Sequence, residues 1–396
     1  MVLVAGICVL LSGFVPATAH EISRERLTPV VLAVRNARAS VVSIKGQKTV
    51  TESADSGSSS DSSDAPRQVN GMGTGTIIDE RGYILTNYHV VSDVRRIEVT
   101  LDDGRGQIAE LTAYDAAADL AVIKIPTTKP LNTIRLGTSS DLMVGESVIA
   151  LGNAFGYEQT VTRGVVSALG RDVQVSETQS YDRLIQTDAS INPGNSGGPL
   201  LNIDGEMIGV NVAVRAGAQG IGFAIPVDDA LSVASRLLNV QRLRNRWHGL
   251  VTEAEDSPNG PLRVTKVEQA SPAQKVGIQT GDQIVRVGRL QINRPLDIER
   301  ALLDRPVGES VTVEVRRGSQ TLAMDLALVE SQLRVVGAPP RADGDASKVW
   351  DVLGLNLSQE PRTTFENRNT RYRGGMHVDG VRPNSAAAQE GILPGD

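Results

Sequence analysis

Gly194-Asn195-Ser196-Gly197-Gly198-Pro199 sets a serine hydroxyl inside a glycine-rich bend. Glycine admits backbone conformations that a side chain forbids and leaves space for a ligand, so the amides of Gly194 and Ser196 can converge on one point. That arrangement holds the oxyanion formed when a hydroxyl attacks a carbonyl. A bare G-x-S-G also occurs as a tight turn between strands, and two further segments separate the two cases.

Leu85-Thr86-Asn87-Tyr88-His89-Val90-Val91 runs an apolar strand into a polar turn that carries a histidine. No other histidine falls between His20 and His248, so an imidazole base in that region is His89. Asp115-Ala116-Ala117-Ala118-Asp119-Leu120-Ala121-Val122-Ile123-Lys124-Ile125 puts acids ahead of an apolar strand. Taken singly, His89 is a loop histidine and the aspartates are turn or capping residues. In the order His, Asp, Ser they supply what acyl transfer requires: a base for Ser196, and an acceptor that fixes the tautomer of that base.

With these segments the chain resembles the HtrA (DegP-like) family of serine proteases. Further matching stretches are Gly73-Thr74-Gly75-Thr76-Ile77-Ile78, Leu151-Gly152-Asn153-Ala154-Phe155-Gly156, Gly164-Val165-Val166-Ser167-Ala168, Gln186-Thr187-Asp188-Ala189-Ser190-Ile191-Asn192-Pro193 and Gly222-Phe223-Ala224-Ile225-Pro226. The resemblance implies a mostly β protein, with a chymotrypsin-like double β-barrel protease domain followed by PDZ modules of α+β type. It implies catalytic roles for His89, Asp119 and Ser196, with Asp115 as the fallback acid, and an oxyanion hole at Gly194, Asn195 and Ser196. The activity implied is that of a serine endopeptidase needing no cofactor and no metal.

The chain has 396 residues, enough for two to three domains, and only 3% aromatic residues, so its cores are expected from Val, Ile, Leu and Ala. With 40 basic and 46 acidic residues it lacks the charge of a general nucleic-acid binder. Val2 to Val15 is apolar and of signal-peptide length, and Ala17 and Ala19 form an A-x-A cleavage site. Residues 1–19 are therefore expected to be a signal peptide for export across the inner membrane to the periplasm. The missing basic start leaves an uncleaved anchor as the alternative, the one case that places the chain on a membrane. Cys8, the single cysteine, lies inside this segment, so the mature chain needs no disulfide.

Residues 20–246 are expected to be the protease domain. Within it 51–70, rich in Ser and Asp, is expected to be a mobile loop. From Met72 to Pro226, short β-branched runs alternate with Gly, Asp and Asn turns, the pattern of an all-β barrel. Val227 to Arg246 carries apolar residues at helical spacing and predicts one closing helix. Beyond it, Val267-x-x-x-Ser271-x-Ala273-x-x-x-Gly277-Ile278-x-x-Gly281-Asp282 recurs as Val381-x-x-x-Ser385-x-Ala387-x-x-x-Gly391-Ile392-x-x-Gly395-Asp396. Each copy resembles a PDZ domain: 247–330 the first, 331–349 a linker, and 350–396 a partial second that is either truncated or a fragment. Peptide-carboxylate loops are expected at Gly249, Leu250 and Val251 and at Leu353 to Leu357, with 296–303 the groove helix and 310–316 and 321–328 the last strands.

In chymotrypsin-like folds the residue six before the nucleophile floors the primary pocket. Here it is Ser190, which does not select Lys or Arg. Ile191, Asn211, Val212 and Ala213 complete an expected modest apolar pocket for small or aliphatic side chains. Asn195 stands where digestive relatives carry an aspartate that pairs with a freed N-terminus, and an amide cannot form that pair. The expected partners are unfolded polypeptides and apolar C-terminal peptides, not nucleic acid. The function expected is ATP-independent protein quality control outside the cytoplasm, and the alternative is a holdase chaperone or peptide-binding scaffold. Family members are typically trimers joined through N-terminal aromatic contacts. Glu21 to Val30 has no aromatic residue, so a homotrimer or larger assembly is a lesser expectation.

Overall fold

The computed structural model describes residues 24–50, 67–152, 160–175, 180–212, 220–244, 246–254, 262–330, 350, 353–359, 376–382, 385 and 387. The leader with Cys8 and the linker 331–349 lie outside them. Helix α1 (Pro29–Ala37) opens the described chain, its first turn set by Pro29 and by the Thr28 hydroxyl, which accepts the Val31 amide.

Twelve strands then form two closed barrels. β1 (Val41–Val50), β2 (Arg67–Asp79), β3 (Tyr83–Asn87), β4 (Val94–Thr100), β5 (Gly106–Asp115) and β6 (Leu120–Lys124) close in the order β1-β2-β3-β6-β5-β4. β7 (Ser147–Gly152), β8 (Thr160–Gln174), β9 (Ser180–Thr187), β10 (Pro199–Leu201), β11 (Met207–Val212) and β12 (Gly222–Pro226) close in the order β10-β11-β12-β9-β8-β7. The barrel interiors are aliphatic, as the composition predicts: Val42, Ile44, Ile84 and Ile97 are among those filling the first, and Val148, Val166, Ile185 and Leu200 among those in the second.

Period-two alternation explains the uninterrupted apolar runs. On β6, Ala121 and Ile123 point into the first barrel while Leu120 and Val122 join a second cluster outside it. On β7, Val148 and Ala150 fill the second barrel while Ile149 and Leu151 reach that same outer cluster. Both faces are buried because the barrels pack on each other, so neither strand shows a polar face.

Two expectations are corrected here. Arg67–Asn70 belong to β2 and not to a loop: Val50, Thr49, Lys48 and Gln47 pair with Arg67, Gln68, Val69 and Asn70. A strand ladder is made of backbone bonds and continues past the apolar core, which a composition-based reading of 51–70 misses; residues 51–66 lie outside the described set. The predicted single helix over 227–246 is two, α2 being the short turn Tyr88–Val91, α3 Val227–Leu237 and α4 Val240–Arg244. Between α3 and α4, Asn239 Nδ2 and the Val240 amide donate to the Glu299 carboxylate at 2.9 and 2.8 Å.

Glu299 belongs to the next module. There β14 (Leu250–Ala254), β15 (Leu262–Val267), β16 (Gln283–Val287), β18 (Ser310–Arg317) and β19 (Gln320–Ala327) form one sheet, with β17 (Leu290–Gln291) beside β16. β13 (Arg246–Trp247) pairs with β20 (Val329–Glu330) and ties the two ends of the module together. Helix α5 (Pro272–Lys275) and helix α6 (Pro295–Leu302) complete it, and the expected helix and last strands fall within one residue of α6, β18 and β19. The end of α6 docks on the first barrel. Arg81 is held by Asp79 and donates to the carbonyls of Arg300 and Leu303, and Arg300 Nε donates to Asp79 at 3.0 Å. Burial alone would raise the Asp79 carboxyl, but hydrogen bonds and charge from Arg81, with charge from Arg300, hold it below its ordinary value.

Burial pushes the Glu299 carboxyl up to about 7, against 4.5 unperturbed, and its two accepted hydrogen bonds only partly offset this. A raised acid binds more protons when folded than when unfolded, so stability at this junction declines as pH rises from 4.5 through about 7. Calorimetry across that window should show the melting transition falling with pH, and Glu299→Gln should flatten the slope. A wild-type slope retained in the variant would refute the assignment.

Candidate active site

Ser196 lies 3% exposed in a bend built by two glycines with positive φ, Gly194 at 103° and Gly197 at 81°. Glycine is required at 197 on a second count, because a Cβ there would come within 2.2 Å of Thr86 Oγ1 and 2.3 Å of the Thr74 carbonyl. The bend is held from three sides. The Gly197 amide donates to Asn211 O at 2.9 Å, Thr74 donates its amide to Ser196 O at 2.8 Å, and Thr74 Oγ1 donates to Gly194 O at 2.6 Å.

The oxyanion expectation narrows. The Asn195 amide already donates to the Asn192 carbonyl at 2.9 Å, so it is not available to an oxyanion. This takes Asn195 out of the expected set. The Asn195 side chain is fully buried and donates to Ser190 O at 3.5 Å, tying the bend to the pocket floor.

His89 sits in α2, a single turn at the end of β3. Its Nδ1 donates to Asp119 Oδ2 at 2.7 Å and its amide to Asp119 Oδ1 at 2.9 Å. Asp119 is buried, with a left-handed backbone at φ 50°, uncommon for a residue with a side chain. The Asn87 side chain and the Tyr88 amide both donate to its carbonyl at 3.0 Å and hold it there. Asp115, the alternative acid, is committed elsewhere: Oδ1 accepts the Ala118 amide and Oδ2 pairs with Arg236 at 3.3 Å. Tyr88 stacks on Tyr114 with ring centroids 4.4 Å apart, a contact the sequence did not signal.

The pocket is only partly as expected. Ser190 is exposed, its carbonyl accepting Thr162 Oγ1 at 2.9 Å, and Ile191 packs beside it. Ile191 fits because residue 222 is glycine; a Cβ there would lie 2.6 Å from Ile191 Cγ1. Asn211 and Val212 are corrections. Asn211 is fully buried, its amide group donating to Leu151 O and Pro199 O, and Val212 packs into the cluster between the barrels. Alternation along β11 sends the two side chains to opposite faces of the strand, and both faces are covered. Ala213 lies outside the described residues.

The imidazole bonded to a buried carboxylate thus lies on a segment that adjoins the glycine bend of Ser196, where a Cβ on Gly197 would come within 3.0 Å of the Asn87 amide nitrogen. The sequence model of the trypsin-like peptidase domain matches residues 73–210, and that of the PDZ domain matches 238–328. A probable periplasmic serine endoprotease DegP-like of Pseudomonas putida is 35% identical over 348 residues, covering 84% of this chain and 71% of its own. This chain belongs to the HtrA family. Another protein of the same name from Hahella chejuensis is 37% identical, over 84% of this chain and 72% of its own. The putative serine protease HhoA of Synechocystis is 39% identical over 68% and 72%. The HtrA chain is a serine-type endopeptidase with a PDZ module.

In that module Gly249 takes φ 78° and packs against Ser271, so close that a Cβ would clash at 2.0 Å. The Leu250 amide, one of the donors expected for a peptide carboxylate, donates to His248 Nδ1 at 3.1 Å. Burial pulls the His248 imidazole down to about 4, with Glu268 opposing, so it stays a neutral acceptor. The sequence repeat recurs in space. Glu268 N donates to Gly249 O and Ala273 N to His248 O; likewise Arg382 N donates to Gly354 O and Ala387 N to Leu353 O.

Asp119→Asn should lower kcat by ~10⁴-fold, because the amide favours the wrong imidazole tautomer. Asp115→Asn should leave it unchanged. Initial rates on casein test both, and the reverse outcome would make Asp115 the acid.

Proposed function

We propose that this HtrA-family endopeptidase is an exported, ATP-independent protease that degrades unfolded or damaged polypeptides. The observation that carries the mechanism is the bond from His89 Nδ1 to Asp119 Oδ2 at 2.7 Å, on a segment that adjoins the doubly glycine-bent loop of Ser196. In this reading Ser196 Oγ attacks the scissile carbonyl and His89 Nε2 takes its proton. Asp119 holds the tautomer and stabilises the imidazolium, and the amides of Gly194 and Ser196 receive the oxyanion. His89 then protonates the leaving amine, and water repeats the sequence on the acyl-enzyme.

Residues 20–246 form the protease, 247–330 the first PDZ domain, 331–349 a linker, and 350–396 the second repeat. The apolar segment Val2 to Val15 with its A-x-A site directs export, in keeping with the periplasmic names of the relatives. Ser190 and Ile191 shape a pocket for aliphatic side chains, with discrimination of only about 1–3 kcal/mol per methylene, so many sites along an extended chain are cut. The first PDZ domain captures apolar C-termini as an added strand beside β14, and its carboxylate displaces His248 Nδ1 from the Leu250 amide.

Ser196→Ala should reduce casein hydrolysis by at least ~10⁴-fold with an unchanged fold. Mass spectrometry of the wild-type fragments should show cuts after Val, Ile and Ala. Cuts mainly after Lys or Arg would overturn the pocket, and full turnover by the alanine variant would overturn the triad.

A further inference from the structure

Asp119 Oδ2 accepts two hydrogen bonds: one from His89 Nδ1 at 2.7 Å, the other from the Tyr181 hydroxyl at 2.8 Å. Tyr181 is 8% exposed and comes from β9 in the second barrel, whereas His89 and Asp119 both come from the first. Its ring packs in the cluster between the barrels, so its hydroxyl has a fixed approach to the carboxylate.

We propose that Tyr181 is a positioning residue for the proteolytic reaction, its hydroxyl fixing the Asp119 carboxylate so that Oδ2 faces His89 Nδ1. The proposal rests on the triad described above and adds a fourth side chain to it.

Three physical arguments support it. First, the terminal torsion of an aspartate is broad, so carboxylate orientation has to be imposed from outside. The Asp119 backbone is fixed by donors to its carbonyl, and Oδ1 by the His89 amide, but Oδ2 would otherwise be aligned only by the imidazole it is meant to align. Second, the acid must remain ionised while His89 carries the serine proton. The Tyr181 hydroxyl donates to the same oxygen that faces the imidazole, so it opposes rotation of the carboxylate away from His89. Burial, and then the charge of Asp119, drives the Tyr181 phenol well above its ordinary value, so it stays protonated and able to donate. Third, Tyr181 pairs with Val173 across β8 and β9, and that pairing shifts register repeatedly between Val166 and Val173. Those bulges set where the hydroxyl lands, making the geometry of this hairpin a condition for an aligned triad.

Tyr181→Phe keeps the packed ring and removes only the donor. We expect kcat on a short peptide substrate to fall about tenfold, equivalent to about 1.4 kcal/mol of transition-state stabilisation, with KM unchanged. In an Asp119→Ala background the same change should cost nothing further, because the acceptor is gone. Circular dichroism and the melting transition confirm that each variant folds, and Ser196→Ala is assayed alongside. A wild-type kcat in Tyr181→Phe would overturn the proposal, as would an equal loss in both backgrounds, which marks a structural role. If Ser196→Ala is inactive while Tyr181→Phe is unimpaired, only the positioning role fails. If Ser196→Ala is active, the triad itself fails.

Discussion

Thr74 is where the two barrels become one site. It lies on β2 of the first barrel, and its amide and hydroxyl donate to the carbonyls of Ser196 and Gly194 in the second, at 2.8 and 2.6 Å. Its own carbonyl accepts Thr86 Oγ1 at 2.7 Å, from the strand that leads to His89. Acyl transfer tolerates little misplacement between nucleophile and base, and the proposed pair, Ser196 and His89, belongs to different closed barrels. Without a polar clamp at this point, packing alone would have to fix the distance. The clamp also dictates sequence: the backbones approach so closely that Gly197 cannot carry a side chain. The segments Gly73 to Ile78, Thr86 to Val91 and Gly194 to Pro199 look like separate motifs along the chain and are the parts of one contact.

The same economy governs the junction with the first PDZ domain. Asp79, at the end of the strand that carries Thr74, is buried and held charged by Arg81 and Arg300. Glu299, one residue from Arg300 on α6, is buried and, among the described residues, accepts only neutral donors, from Asn239 and Val240. The two carboxylates therefore behave oppositely, one kept below its ordinary range and the other pushed to about 7. A buried carboxylate that keeps its charge needs a cation beside it, and the contrast between these neighbours shows that rule at work.

Much of this was legible because it is local or repeated. Positive-φ glycines, the β-branched runs of the barrels and the recurring Val-Ser-Ala-Gly-Ile spacing each encode one nearby backbone requirement, and the structure realises them near the expected positions. What escaped depends on partners far away in sequence. Tyr181 is an ordinary strand residue until the fold brings it to Asp119, 62 positions away. The helix after Val227 looks continuous until Glu299 takes the Val240 amide, 59 positions on. Asn211 and Val212 end β11, and what covers their side chains depends on the packing of the second barrel against its surroundings. Asn195 belongs to the expected oxyanion set, and only the turn geometry shows that its amide donates to Asn192.

The two PDZ-like repeats carry the comparison one step further. Their loop backbones make the same bonds, yet the side chains beside them differ in charge. Next to Gly249 the position is Glu268, which accepts the Trp247 indole proton, and the loop amide that follows is occupied by a neutral imidazole. Next to Gly354 the position is Arg382, whose guanidinium lies 5.9 Å from the centre of the Trp350 ring. A carboxylate approaching the first loop meets an acid and a lone pair that must yield; one approaching the second meets a cation already held against an aromatic face. The difference in side chains thus sits on a shared backbone frame. It can persist without any change in fold, because it resides at positions that the repeated backbone bonds leave free to vary.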